Sequence, residues 1–443
     1  MIKTPLDDWI SRKISLQSGT LSSDAIEHYQ LIQLRNTITL AKEKSNYYRK
    51  SFAAVDPNKI VSFDEFSKLP YTFPQDIKEN PLNFVCISTN HIERIVSLQS
   101  SGTTGVPKRI FFTKEDQELT IDFFDYGMRN LVGPTDRVLI LLPWESPGSV
   151  GDLLRIALER MNAYPIPYGP VSNTDEAIQA AVTYQANSIV GIPTQVLSMA
   201  RHKNSDLLQG KIKSVLLSTD HVSNSISRAI EEKWDCKVFN HYGMTEMGLG
   251  GGVQCSVRLG YHLREADLYF EIINPETGEV LPEGELGEVV FTTLTRRGMP
   301  LIRYRTGDVS RFISGNCPCG SVLRSMEVVK GRVSGKKRLG ELDISVAELD
   351  EVLFSIESVL NYQCKIDERN GKDYLYVNIM KADFNSMDEG VVRHALQKIP
   401  AVRNEVVKDR LKVVVNIDNQ QFEGSNGTAK RQIIDNRKVK VHI

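Results

Sequence analysis

The stretch Ser100-Ser101-Gly102-Thr103-Thr104-Gly105-Val106-Pro107-Lys108 follows directly on Val96-Ser97-Leu98-Gln99, an apolar run suited to the end of a strand. Its serines and threonines supply hydroxyl donors, Gly102 and Gly105 let backbone amides turn toward an anion, and Lys108 adds a positive charge. Such a set suits a triphosphate. The spacing GxxxxGK[ST] of a Walker-type loop fits neither this stretch nor Gly331 to Lys337. By composition alone the stretch also reads as a solvated turn, but the ordered nine-residue string is far more specific than its composition.

Outward from this loop the pattern predicts an α/β protein. Up to about Ile95 it is helical and polar, punctuated at Asp56-Pro57, Leu69-Pro70 and Asn80-Pro81, where proline discourages helix. Beyond the loop, short runs rich in β-branched residues (Arg137 to Leu142, Ser188 to Ile192, Lys213 to Leu217) are separated by stretches of helical spacing such as Val150 to Met161. That alternation predicts βαβ units and a parallel sheet. After Tyr261 the texture becomes strand and hairpin, with Asp267 to Ile273 and Gly287 to Thr293 separated by Pro/Gly-rich turns, so a β-rich subdomain is expected.

The basic, glycine-containing stretch Lys330 to Arg338 lacks an apolar period and reads as a hinge. Beyond it Val346 to Phe354 and Asp388 to Ile399 are predicted helices, and Asp373 to Ile379 and Leu411 to Ile417 predicted strands. The expected organisation is a large multi-sheet N-terminal domain over residues 1–330, a hinge at 331–338 and a small, mobile α+β C-terminal domain at 339–443.

Composition narrows the function classes. In 443 residues, 54 Lys and Arg balance 55 Asp and Glu, which leaves no net electrostatic footprint for nucleic acid or an anionic membrane. The N-terminus lacks the basic start and apolar run of a signal peptide and no long uncharged apolar stretch exists, so a cytoplasmic protein is expected. Six cysteines in a chain of this length are no disulfide scaffold. Cys317-Pro318-Cys319 with Cys255 and His262 instead makes the Cys₃His set typical of structural zinc, although C-x-C is tighter than the usual C-x₂-C and ordinary buried cysteines are the alternative. Cys86, Cys236 and Cys364 read as small buried hydrophobes.

The nine-residue loop resembles the phosphate loop of the adenylate-forming superfamily, which includes acyl-CoA synthetases, luciferases and peptide-synthetase adenylation domains. Tyr242-Gly243-Met244-Thr245-Glu246, Tyr304-Arg305-Thr306-Gly307-Asp308 and Gly331-Arg332 follow in the order the superfamily shows. Leu69 to Thr72 and Pro300 to Arg305 look most like the phenylacetate-CoA ligase branch, and some proteins of that branch look similar at the Cys₃His set.

The resemblance implies a two-step ligase that spends ATP to activate a carboxylic acid as its adenylate and passes the acyl group to a thiol, coenzyme A first among candidates. ATP would be held by Ser100, Ser101, Gly102, Thr103, Thr104, Gly105 and Lys108, by Ser218, Thr219 and Asp220, by His241, Tyr242, Gly243, Met244 and Thr245, and by Asp308 and Arg332. Glu246 would hold Mg²⁺, Thr245 would donate to the α-phosphate, Tyr242 would stack on adenine, and Asp308 offers an acceptor pair to the ribose hydroxyls. Trp144, Gly148, Gly191, Ile192, Pro193, Gly248 and Gly250 would line the acyl pocket. Lys108, Thr245, Glu246 and Lys430 form the expected catalytic set, while His221 reads as a structural histidine.

The pattern breaks in three places. Relatives carry a C-terminal catalytic lysine where Asn426 to Asp435 aligns Thr428, so Lys430 or Arg431 substitutes only with a shifted loop. Ser334 and Gly335 stand where relatives have acidic hinge residues, and Ser218-Thr219-Asp220 replaces a Gly-Ala/Gly-Glu pattern. Two further readings therefore accompany the first: transfer of acyl or AMP to another acceptor (a cofactor, an amine or a carrier protein), and a degenerate nucleotide-binding relative. The acid and a homodimeric state are left open.

Overall fold

Local signals set the start of most helices. Thr4, Ser22 and Ser45 turn their hydroxyls back onto the first free amides of the helices Pro5–Lys13, Ser23–Lys44 and Asn46–Ser51. Pro57 and Pro81, which the sequence marks as helix breakers, open the short helical turns Pro57–Lys59 and Pro81–Phe84. Proline lacks only an amide that the first helical turn leaves unused. The computed structural model describes residues 3–14, 20–98, 107–382, 387–418 and 430–437. Ser100, Ser101, Gly102, Thr103, Thr104, Gly105 and Thr428 thus lie outside the described residues.

The chain packs as two units, the first made of residues up to 135, 144–164 and 239–329. Here Arg94–Leu98 pairs antiparallel with Lys108–Phe112, placing Leu98 opposite Lys108. The phosphate-loop sequence therefore joins two strands of one hairpin. Leu268–Ile273, Gly287–Thr293 and Tyr304–Ser310 form an antiparallel three-stranded sheet. Gly252–Gln254 pairs with both the end of Lys237–Tyr242 and Tyr261–Leu263, which continues through Ser325–Met326 to Phe312–Ile313. Phe66, Phe84, Ile110, Phe291, Leu301 and Tyr304 lie in its core.

The second unit contains 136–143, 165–238 and the chain from 330 onward. Arg137–Leu141, Ser188–Gly191 and Ser214–Leu217 run parallel and in register, as the βαβ reading expects. Ser188–Gly191 and Ser214–Leu217 are buried at every position, which is why they read as continuous apolar runs rather than alternating ones. Leu411–Asp418, Lys372–Lys381, Val359–Arg369 and Ile433–Asp435 form a four-stranded mixed sheet. The helices Val346–Leu353, Glu389–Leu396 and Pro400–Val407 accompany it. The stretch read as a hinge carries a 3₁₀ turn at Val333–Gly335 and opens the hairpin Lys337–Leu339/Leu342–Ile344. The mixed α/β class agrees with the sequence. No helix among the described residues is long and apolar enough to cross a membrane.

Arg303 ties the first unit together. Both it and Glu271 are 1% exposed; Nε donates to Oε2 at 3.1 Å and Nη2 to Oε1 at 2.9 Å. Nη1 reaches the carbonyls of Ser67 and Leu69, and Nη2 the hydroxyl of Tyr71 at 2.7 Å. Two of the segments most like the phenylacetate-CoA ligase branch are thus joined by one guanidinium. Removing one partner of such a pair leaves a bare buried charge, so Arg303→Met is expected to cost about 3–5 kcal/mol in urea unfolding. Glu271→Gln in the same chain should recover part of that loss.

Candidate active site and candidate metal centre

The strand Lys237–Tyr242 ends in Gly243, where a Cβ would stand 2.1 Å from the carbonyl oxygen of Leu249. Only glycine permits that approach. The chain then makes the 3₁₀ turn Thr245–Met247 and reverses through Gly248, at φ +76°. This holds the Glu246 carboxylate inside, 5% exposed, in an ion pair with the Nζ of Lys108. Tyr304 closes the group: its hydroxyl accepts from Lys108 at 3.0 Å and donates to Glu246 Oε1 at 3.1 Å. Burial pushes the Glu246 carboxyl up, but the Lys108 charge and the hydrogen bonds from Lys108 and Tyr304 outweigh it and hold it below the usual value. The Glu246 carboxylate is thus held ionised and oriented.

Tyr242 and Asp308 also meet, with the tyrosine hydroxyl donating to Oδ2 at 3.0 Å. Burial and that carboxylate raise the tyrosine's pKa. Asp308 is aimed by a bulge: Arg305 and Val309 face Val290 and Glu288, so four steps oppose two, and Gly307 takes φ +77°. Tyr242 stacks on Tyr261, with centroids 5.7 Å apart. His241 faces Phe124 edge-on at 6.0 Å, and burial, with the Arg264 charge adding, lowers its pKa to about 4, so it is neutral.

The glycine run lies close against aromatic side chains. A Cβ on Gly250 would lie 2.5 Å from the Phe123 ring, and one on Gly252 would lie 2.9 Å from Tyr261. Trp144 is half-buried, and Gly148, at φ +71°, donates its amide to Asp152 at 2.8 Å.

The other predicted contacts lie in the second unit. Gly191 ends a strand and Pro193 opens the helix Pro193–Ala200, with Ile192 buried between them. The Ser218 amide donates to the Gly191 carbonyl at 3.1 Å. Thr219 takes φ +77°, a conformation costly for a β-branched residue. Asp220 caps the His221 amide at 2.8 Å, and His221 Nδ1 lies 2.7 Å from Asp350, a structural pairing. Arg332 and Lys430 are exposed. The Arg431 side chain is 5% exposed and bound to two carboxylates.

The four sulfur and nitrogen residues picked from sequence converge. Ligand atoms of Cys255, His262, Cys317 and Cys319 all lie within 4.8 Å of one another. Cys255 and Cys317 sulfurs are 3.8 Å apart, and Cys319 Sγ is 3.3 Å from His262 Nε2. A tetrahedral zinc site with Zn–S near 2.3 Å has S···S edges of about 3.8 Å, so the donors fit such an ion. His262 Nδ1 lies 3.4 Å from the Ser325 hydroxyl, leaving Nε2 for a ligand role. Burial pushes the Cys317 thiol up to about 12. A bound cation would reverse that cost. Cys86 and Cys364 are buried, as read from sequence, and desolvation raises their thiols to about 12, whereas Cys236 is only half-buried.

Sequence reasoning missed the part Tyr304 plays, although the residue opens the motif Tyr304 to Asp308. It also missed Arg296, whose Nη1 donates to the Glu246 carbonyl at 2.8 Å. No local signal marks either pairing, because the partners lie 58 and 50 positions apart.

A family model described as AMP-binding enzyme matches residues 55–294. The chain belongs to that family. It is 25% identical over 424 residues to a phenylacetate-coenzyme A ligase of Pseudomonas putida, covering 93% of each chain. With the enzyme of the same name from Escherichia coli (strain K12) identity is 27%, covering 81% of this chain and 83% of that one. These likenesses place this AMP-binding enzyme in the phenylacetate-CoA ligase-like branch of the adenylate-forming superfamily. A crystal structure of 2-hydroxyisobutyryl-CoA ligase in the postadenylation state with 2-HIB-AMP shares the fold, with TM-score 0.79, 19% identity and coverage of 94% of this chain and 90% of that one.

Glu265, three residues past the candidate ligand His262, gives the first unit a pH dependence. Its Oε2 accepts the Arg324 amide at 2.9 Å. Burial pushes its carboxyl up from 4.5 to about 7 against the pull of Arg324, with Glu27 and Asp7 adding to the rise. The folded value lies above the unfolded one, so the folded state holds the proton more tightly. Its stability contribution is complete below the unfolded value and is lost as pH rises through about 7. Thermal unfolding midpoints of Glu265→Gln, compared with the parent chain, should gain steadily as pH rises from about 5 to 8; a constant difference would rule the effect out.

Proposed function

We propose that this AMP-binding enzyme activates a carboxylic acid with ATP and transfers the acyl group to coenzyme A. In the first step a carboxylate oxygen bonds to the α-phosphorus as the bond to pyrophosphate breaks; in the second the thiol sulfur displaces AMP. The observation that carries this reading is the buried Lys108–Glu246–Tyr304 group. It keeps one carboxylate ionised and one ammonium fixed beside a predicted phosphate loop. Mg²⁺ on Glu246 would supply neutralising charge for the phosphates. Lys108 would contact phosphate oxygens, Thr245 the α-phosphate, and Asp308, steered by Tyr242, the ribose. Ser100 to Gly105, Ser218 to Asp220, His241, Gly243, Met244 and Arg332 are assigned to the rest of the nucleotide, and Trp144, Gly148, Gly191 to Pro193, Gly248 and Gly250 to the acid.

Threonine at position 428 brings no positive charge to the phosphorus, and losing such a donor typically costs about 10²–10³ in rate. Lys430 is the exposed cation nearest in sequence and is assigned that role. The small domain 339–443, with the hinge 331–338, is assigned the second step.

Acid-dependent exchange of labelled pyrophosphate into ATP, across aryl and short acyl acids, tests the first step. Glu246→Gln is expected to slow it by about 10²–10³, and absence of exchange with every acid would overturn the reading. Mass spectrometry of products with and without coenzyme A tests the acceptor.

A structural zinc is assigned to Cys255, His262, Cys317 and Cys319, supported by the donor spacing above. Four protein ligands would leave no open position, so its role is to hold the 317–319 loop against the strand Tyr261–Leu263. Elemental analysis should find about one zinc per chain, falling sharply in the Cys317→Ser/Cys319→Ser double variant. Zinc retained by that variant would refute the site.

A further inference from the structure

Arg431 is 5% exposed, and four separate hydrogen bonds or ion pairs satisfy its guanidinium. Nε donates to Asp350 Oδ1 at 2.8 Å, and Nη2 to Asp350 Oδ2 at 3.0 Å and to the His221 carbonyl at 2.9 Å. Nη1 pairs with Asp220 Oδ2 at 3.0 Å. The guanidinium carbon lies 5.1 Å from the Phe354 ring centre. Asp350 is fully buried, and its remaining capacity is taken by the Tyr362 hydroxyl and His221 Nδ1, each at 2.7 Å. One fork thus joins the helix Val346–Leu353 to the loop after Ser214–Leu217, from a residue 211 positions beyond Asp220. Two residues on, Ile433–Asp435 adds in parallel to Val359–Arg369, with Ile433 opposite Cys364. The chain around Lys430 is therefore held by a planar cation that is bidentate to Asp350 and reaches Asp220 with Nη1, and a lysine would keep the charge but not the fork.

We infer that Arg431 is a positioning residue for adenylate formation: by clasping Asp220 and Asp350 it sets the neighbouring Lys430 against the Ser218–Asp220 loop. The inference rests on the proposed activity and on the nucleotide role of that loop. Asp220 then holds the C-terminal segment at the loop that departs from the superfamily's Gly-Ala/Gly-Glu pattern, and the departures at 218–220 and 428–431 become one change. The bonds made and broken stay those of the adenylation step; the clasp contributes only placement, whose loss of about 1 Å can cost about 10²-fold.

The test separates the two half-reactions. Arg431→Gln, Arg431→Lys and Asp220→Asn are assayed for acid-dependent pyrophosphate exchange, and for thioester formation from a synthetic acyl-adenylate and coenzyme A. Arg431→Gln is expected to slow exchange by about 10–100-fold while the thioester step changes less than about 3-fold. Arg431→Lys should recover part of the loss, and hydrogen exchange at Ile433–Asp435 should rise in Arg431→Gln with Ser214–Leu217 still protected. If Arg431→Gln fails to fold, Asp220→Asn, which removes one arm of the clasp, is read for the same one-sided loss. Unchanged exchange, or equal loss in both half-reactions, overturns the clasp. A parent chain inactive with every acid overturns the activity itself, whereas an active parent with an indifferent Arg431→Gln overturns the clasp alone.

Discussion

A carboxylate taken out of water must keep a cation within reach, and that constraint organises both units. Glu246 has Lys108, Glu271 has Arg303, Asp267 has Lys13 and Arg264, and Asp350 has Arg431. Breaking such a pair strands a charge in low dielectric, while an apolar replacement of both partners is often neutral. The pairs therefore select one arrangement of the chain more than they add net stability. Most of them join segments far apart in sequence, and one, Lys108 with Glu246, brings the cation of the phosphate-loop strand to the proposed metal ligand.

The candidate metal centre obeys the same logic with softer donors. Three thiols and an imidazole gathered within 4.8 Å form a donor set that a soft cation would suit, and burial pushes the Cys255 and Cys317 thiols up. The loop that carries Cys317 and Cys319 is tied from its far side as well: the Ser321 hydroxyl donates to the buried Asp7 of the helix Pro5–Lys13 at 2.6 Å. Tyr261, adjacent to His262, stacks on Tyr242, whose hydroxyl holds Asp308. A short path of contacts thus runs from the cysteine cluster to the proposed ribose ligand.

Much of this was legible locally. Parallel strands announce themselves as unbroken apolar runs because both faces are covered, as at Ser188–Gly191 and Ser214–Leu217. Asp308 carried its own signal, since Gly307 supplies the positive φ on which the bulge turns. The Cys₃His set was visible because few other roles gather thiols in this way. The hairpin Lys337–Leu339/Leu342–Ile344 was not visible, because its residues are mostly exposed and carry no apolar alternation. The glycine run Gly250 to Gly252 gave no sequence sign of the Phe123 ring and Tyr261 that lie against it.

Sequence by itself determined the α/β class, the order of the superfamily motifs and the chemical types at the site, because periodicity, turn chemistry and short motifs are local properties of the chain. Tertiary structure alone decided what those residues do to one another. Lys108 and Tyr304 converge on Glu246, and Arg431, equivalent to Lys430 as a charge in the sequence, is locked by Asp220 and Asp350 while Lys430 stays exposed. Charge pairing and burial depend on distance in space, and no spacing along the chain encodes which of two adjacent cations will face a carboxylate.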